Sequence, residues 1–189
     1  MPAAVLRRGP IAGASQRYHN PVAIHFGAGA LGALPALLRD RSVVVVTFPE
    51  ARALGLVQRL ERLLGPALLA VEDEVEPNPD VARLGAMYRR FWRDHGHCGA
   101  VVAIGGGSAI DTAKALIVGS ASGAFDEVVA SLAAGRPFVP NAVKPLIAIP
   151  TTAGTGSEVT PWATIWDRAT GSKHSLHLDQ TWPQHALVD

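Results

Sequence analysis

Val43–Val46 is an unbroken run of four valines between Ser42 and Thr47. Side chains along a strand point alternately to its two sides, and here neither side offers a polar group to water. The run therefore reads as a strand buried on both faces. Such a strand belongs inside a parallel sheet with helices on each side, and parallel neighbours need long crossover segments between them. The rest of the chain fits that demand. Residues 22–26, 67–71, 100–104 and 146–149 read as further strands. Helices are expected up to Leu38, from Pro49 to Leu64, from Asp80 through Arg93, from the 105–108 loop to Val118, and over 125–132. Asp80 is placed to cap its helix, whose Val81, Leu84, Met87, Tyr88 and Phe91 fall on one face. Residues 163–166, 175–178 and 186–188 read as short strands near the end. The expected class is α/β, a parallel sheet with flanking helices. In such sheets ligands sit beyond the carboxyl ends of the strands.

Three loops follow strands and carry the chemistry. The first, Gly27-Ala28-Gly29-Ala30-Leu31-Gly32, spells the dinucleotide fingerprint G-x-G-x-x-G. A ribose-binding acid should close the second strand about 20 residues on. That strand ends Val46-Thr47-Phe48-Pro49, and the nearest acid, Glu50, lies beyond a proline. The loop reads either as a pyrophosphate site or as a tight turn. The second, Gly105-Gly106-Gly107-Ser108, lets backbone approach a ligand without Cβ interference and opens a helix whose amides suit an anion. Ser108 and Asp111 also have capping-box spacing, a reading that needs no ligand. The third, from Pro150 to Glu158, offers the hydroxyls of Thr151, Thr152, Thr155 and Ser157, suited to ribose, phosphate or carboxamide. It could equally satisfy its own backbone.

Composition excludes other classes. With 17 Lys+Arg against 16 Asp+Glu in 189 residues, no cationic excess exists to neutralise nucleic-acid phosphates. At 48% hydrophobic residues the chain has core material rather than the makeup of a disordered segment. No apolar stretch reaches the ~18 residues of a membrane span, since Asp111 and Lys114 interrupt the most apolar region. The single cysteine, Cys98, excludes an intrachain disulfide and a cysteine zinc cage, reads as a small buried residue, and fits a cytoplasmic location. Residues 1–17 are basic and lack acids and an apolar signal core. They read as a flexible extension, leaving 18–189 as one nucleotide-binding α/β domain. The pairs His95/His97 and His174/His177 lack a carboxylate partner apart from Asp179, so they are read as surface or hydrogen-bonded histidines, not metal ligands.

The stretches GGGSAIDTAKA (105–115) and PTTAGTGSEVT (150–160) together resemble the metal-dependent, often iron-containing, alcohol dehydrogenase family. Phe26-Gly27-Ala28-Gly29, Val75-Glu76-Pro77-Asn78-Pro79, Lys173 and the ending Ala186-Leu187-Val188-Asp189 are similar to further family stretches. Tyr18-His19-Asn20-Pro21 resembles the branch that reduces phosphonoacetaldehyde. The resemblance implies a Rossmann-like domain related to the N-terminal domain of dehydroquinate synthase, binding NAD or NADP. Carried over, Gly106, Gly107 and Ser108 hold the pyrophosphate. Asp111, Thr151, Thr152 and Thr155 line the cofactor, and Lys173 approaches its ribose or nicotinamide end. The implied reaction is hydride transfer between nicotinamide and a small alcohol or aldehyde. Many NAD-using members have an Asp where this chain has Thr47-Phe48, so NADPH is left permitted.

Family members are about twice as long and carry a helical domain with the ligands, one Asp and three His, of a divalent metal such as iron or zinc. The expectation is that this chain holds the cofactor half, with no catalytic residue and no metal ligand of its own. It would then be inactive in isolation. A mean hydropathy of +0.19 suggests an apolar face that a homo-oligomer or the helical domain would cover.

Overall fold

The computed structural model describes residues 19–189; the expected extension over 1–17 lies outside the described residues, as does Tyr18. In chain order the elements are β1 (Ala23–Phe26), α1 (Leu34–Leu38), β2 (Val43–Val46), α2 (Leu56–Leu64), β3 (Leu68–Glu72) and α3 (Val81–His95). They continue with β4 (Ala100–Gly105), α4 (Gly107–Leu116), β5 (Val118–Gly119), α5 (Phe125–Ala133), β6 (Ala142–Val143) and β7 (Leu146–Pro150). β8 (Ala163–Asp167), β9 (Ser172–Leu176) and β10 (His185–Val188) complete them. Six strands form one parallel sheet in the order β1-β10-β7-β4-β2-β3. β5–β6 and β8–β9 are antiparallel pairs beside it.

The valine run does what its composition requires. Val44 and Val46 enter one core cluster with Tyr88, Phe91, Ile110 and Leu116 of α3 and α4. Val43 and Val45 enter the other, with Leu34, Leu38 and Leu60 of α1 and α2. All four are fully buried, and each such side chain contributes about 1.5–3 kcal/mol by leaving water. α3 starts where expected, with the Ala82 amide donating to Asp80 Oδ1 at 3.1 Å. The Tyr88 hydroxyl donates to the Val118 carbonyl at 2.7 Å and accepts from the Ser120 amide at 2.6 Å, so α3 is bonded to the β5 turn.

Several boundaries move for local reasons. The helix expected from Pro49 begins as a 3-10 turn, Pro49–Ala51, and α2 starts only after Gly55, whose φ is +74°. The helix leading to Leu38 is likewise a 3-10 turn followed by a five-residue α1. α4 stops at Leu116 rather than Val118 because Val118 pairs with Val143. The strand expected over 175–178 lies at Ser172–Leu176, since the turn before it pairs Asp167 with Ser172. Among the described residues no helix is long and apolar enough to cross a membrane.

Candidate functional site

The strand order reverses between β2 and β4. From β2 the chain goes outward to β3, then returns to place β4 on the other side. The two following loops diverge there and leave a crevice at the carboxyl end of the sheet. Phe48, Pro49 and Glu50 from the turn after β2, Val75, Glu76 and Pro77 from the loop after β3, and Gly106–Ala109 line a cleft of about 500 Å³. Thr47, just before Phe48, is buried and donates through Oγ1 to the Ile104 carbonyl at 2.8 Å. No lysine, arginine or histidine is among the lining residues, and Glu76 is paired with Arg83.

The glycine loop is built against the threonine loop. Thr151 N donates to Gly105 O at 3.0 Å, continuing the β4–β7 ladder one step past the strands. A Cβ on Gly106 would stand 3.3 Å from Thr152 Oγ1, and one on Gly107 only 2.8 Å from Thr155 Oγ1. Thr151, Thr152 and Thr155 are themselves exposed. The two loops thus form a cradle whose closeness depends on the missing side chains. Gly106 caps α4 with no side-chain hydrogen bond. The amides of Gly107 and Ser108 open the helix without intrahelical partners, which suits a pyrophosphate there.

The capping-box reading of Ser108 and Asp111 does not hold. Ser108 Oγ accepts from the Asn78 amide at 3.1 Å and so ties the 73–79 loop to the start of α4. Asp111 turns instead to the far loop. Its Oδ1 accepts from Ser157 Oγ at 2.5 Å and its Oδ2 from the Thr164 amide at 3.0 Å. With both oxygens engaged, Asp111 secures the threonine loop from behind. Lys173, on β9, lies with Nζ 3.8 Å above the Trp166 ring and outside the residues lining the cleft.

Sequence reasoning missed Lys114, treating it only as a charge that interrupts an apolar region. It is fully buried, and Nζ donates to Ser157 O at 2.7 Å, Ser157 Oγ at 2.9 Å and Trp162 O at 2.6 Å. Burial pushes its pKa down to about 8, against the pull of Asp111 and Glu158. A lysine on the buried face of an otherwise apolar helix was the available signal.

The other glycine motif has a different fate. After β1, the Gly29 amide donates to the Asp189 carboxylate, which also pairs with Arg59 at 2.7 Å. Gly29 has φ +86° and precedes a 3-10 turn. The Gly29 amide is thus satisfied by a carboxylate of the chain itself, which is what the tight-turn reading of 27–32 requires. The carboxylate beside His174 is Asp167, at 3.9 Å, rather than Asp179, and His177 stacks on Trp162 with centroids 4.2 Å apart. Among the described residues no group of three His, Cys, Asp or Glu side chains converges as a metal site would require. Cys98 is buried, and burial raises its thiol pKa.

Comparison with known proteins agrees with this geometry. The family model described as iron-containing alcohol dehydrogenase matches residues 21–189. A choline dehydrogenase of Bacillus subtilis is 36% identical over 160 residues, 80% of this chain and 39% of that protein. A phosphonoacetaldehyde reductase of Streptomyces viridochromogenes is 38% identical over 127 residues, 65% of this chain and 29% of that protein. The crystal structure of sulfoacetaldehyde reductase from Bifidobacterium kashiwanohense in complex with NAD+ superposes with a TM-score of 0.80 at 32% identity. It covers 94% of this chain and 46% of that one. The chain spans less than half the length of these relatives. The fold, the paired loops and the match over 21–189 establish that the chain belongs to the iron-containing alcohol dehydrogenase family.

Proposed function

We propose that residues 18–189 form the nucleotide-binding part of an NAD(P)-dependent alcohol dehydrogenase or aldehyde reductase. The observation that carries this is the cradle at the point where strand order reverses, with Gly107 and Thr155 too close to admit a side chain between them. In it the amides of Gly107 and Ser108 face the pyrophosphate, with Gly106 giving the backbone its close approach. Thr151, Thr152 and Thr155 present hydroxyls along the bound nucleotide. Asp111 acts behind them, through Ser157, and Lys173 is given no cofactor contact because its ammonium is seated on Trp166. The bound nicotinamide would supply the hydride for exchange with a small alcohol or aldehyde, and the protein's task is to orient it.

Phosphonoacetaldehyde is the substrate we favour within that class, on the resemblance of residues 18–21 and the 38% identity to a reductase of that aldehyde. Groups for a divalent metal do not converge among the described residues. On this reading the 189-residue chain binds nucleotide but turns over little aldehyde by itself. A helical partner, covalent or separate, would complete it. Titration with NADH and NADPH, followed by nucleotide fluorescence, should saturate; no binding of either would overturn the proposal. Strong metal-stimulated aldehyde reduction by the chain alone would overturn its second part.

A further inference from the structure

An ammonium group has three N–H donors, and Lys114 uses all of them on a single segment, 157–162. None of its partners belongs to the apolar core around it. Ser157 Oγ accepts from Lys114 and donates to Asp111 Oδ1, which lies one turn earlier on α4. The Ser157 amide donates to Thr155 Oγ1 at 3.3 Å, and Thr155 Oγ1 is the atom nearest to where a Gly107 Cβ would stand. A continuous path therefore runs from the buried ammonium, through Ser157, to the hydroxyl that closes the cradle. Burying a charge costs several kcal/mol unless it is well bonded, and an apolar residue would fill the same space without that cost.

We infer that Lys114 is a positioning residue, whose ammonium holds the 151–162 segment at the distance from Gly106 and Gly107 that the nucleotide needs. The inference rests on the nucleotide reading above. The charged groups facing Lys114 are Asp111 on its own helix and Glu158 on the adjoining 3-10 turn. β2, β4, β5 and β7 bring no ionisable side chain. β8 brings Asp167, which is bonded to the amides of Ala169 and Thr170. The buried ionisable group of α3 is Tyr88, whose hydroxyl is bonded to Val118.

The sign of the pH dependence separates positioning from plain structural support. The pKa of Lys114 is about 8 in the fold against an ordinary 10.5. The folded chain thus holds fewer protons than the unfolded chain between those values, and this group favours folding as pH rises. Loss of the ammonium nevertheless releases one of its three acceptors. NADH affinity should therefore fall severalfold from about pH 7 to about pH 9.5 while global stability does not fall with it. Lys114→Met should bind NADH about tenfold more weakly at neutral pH and show no such decline. Ser157→Ala, which keeps the lysine, should lie between them.

The test is NADH titration of the 189-residue chain across that range, with denaturant stability at each pH. Amide hydrogen exchange of 151–162 is measured without cofactor at one pH. A flat wild-type profile, or Lys114→Met binding like wild type, overturns the inference. If Lys114→Met does not fold, the wild-type profile and Ser157→Ala decide. If the wild type binds no NADH, the nucleotide reading fails, and exchange decides this one. Unchanged protection of 151–162 in Ser157→Ala overturns it, and faster exchange there than in β4 supports it.

Discussion

The turn over 27–32 and the turn over 105–108 each follow a parallel strand and each is rich in glycine. The first matches a dinucleotide fingerprint letter for letter, yet it follows β1 on the sheet edge and is closed by Asp189 and Arg59. The second matches less famous letters, but it follows β4 at the reversal of strand order. There it faces a loop of hydroxyls and opens an α-helix of ten residues. Glycines in the first turn answer a backbone need, φ +129° at Gly27 and +86° at Gly29 with open space around both. In the second, Gly107 answers a contact need, since a Cβ would strike Thr155. A motif therefore acquires its surroundings from the neighbouring strand, and spacing alone cannot supply those.

The most direct way to break this contrast is to add a side chain to each turn. Gly107→Val should weaken NADH binding on the order of a hundredfold, because it overfills a packed contact. Gly29→Val should leave affinity unchanged and cost about 1–3 kcal/mol of stability through left-handed strain. Fluorescence titration and denaturant melts read both. Loss of binding only in Gly29→Val would reverse the assignment of the two turns.

A smaller effect sharpens the site at its adenosine end. Glu50 lines the cleft beside the glycine loop, no cation lines it, and Arg83 is already paired with Glu76, so a 2′-phosphate would meet negative charge without a partner. NADH should bind about tenfold more tightly than NADPH, and Glu50→Arg should close that gap. Equal affinities in the wild type would remove Glu50 from this role. The family resemblance left NADPH permitted, because Thr47-Phe48 stands where many NAD-using members have an Asp; the 3-10 turn over Pro49–Ala51 instead sets Glu50 among the residues lining the cleft.

The smallest effect belongs to the edge turn. The Gly29 amide, then Arg59, holds the Asp189 carboxyl below the usual carboxylate range. A depressed folded pKa means that the anchoring is present at neutral pH and is lost as pH falls through the carboxylate range. Asp189→Asn should speed exchange of the Gly29 amide at neutral pH, abolish its acid dependence and leave NADH affinity unchanged. A change in affinity would connect the edge turn to the site.

Most of the architecture was legible because it rests on local chemistry. The valines specify burial on both faces, Asp80 specifies the start of α3, and the run of three glycines specifies the turn that opens α4. The site's rear support was not legible. Ser108 and Asp111 have the spacing of a cap, but Asn78 and Ser157, 30 and 46 residues away, take their side chains instead. His174 and Asp167 face each other through the β8–β9 hairpin, whose register the sequence pattern placed a few residues late.

By itself the sequence determined the α/β class, the strands of the central sheet and the loops that could hold a nucleotide. Hydrophobic period and backbone freedom are properties of short segments. The tertiary structure alone decided which glycine turn meets a hydroxyl loop, where Asp111 turns and what the Lys114 ammonium holds. Those outcomes depend on strand order and on partners 43 to 53 residues away, and a long-range contact leaves no periodic trace in the chain that makes it.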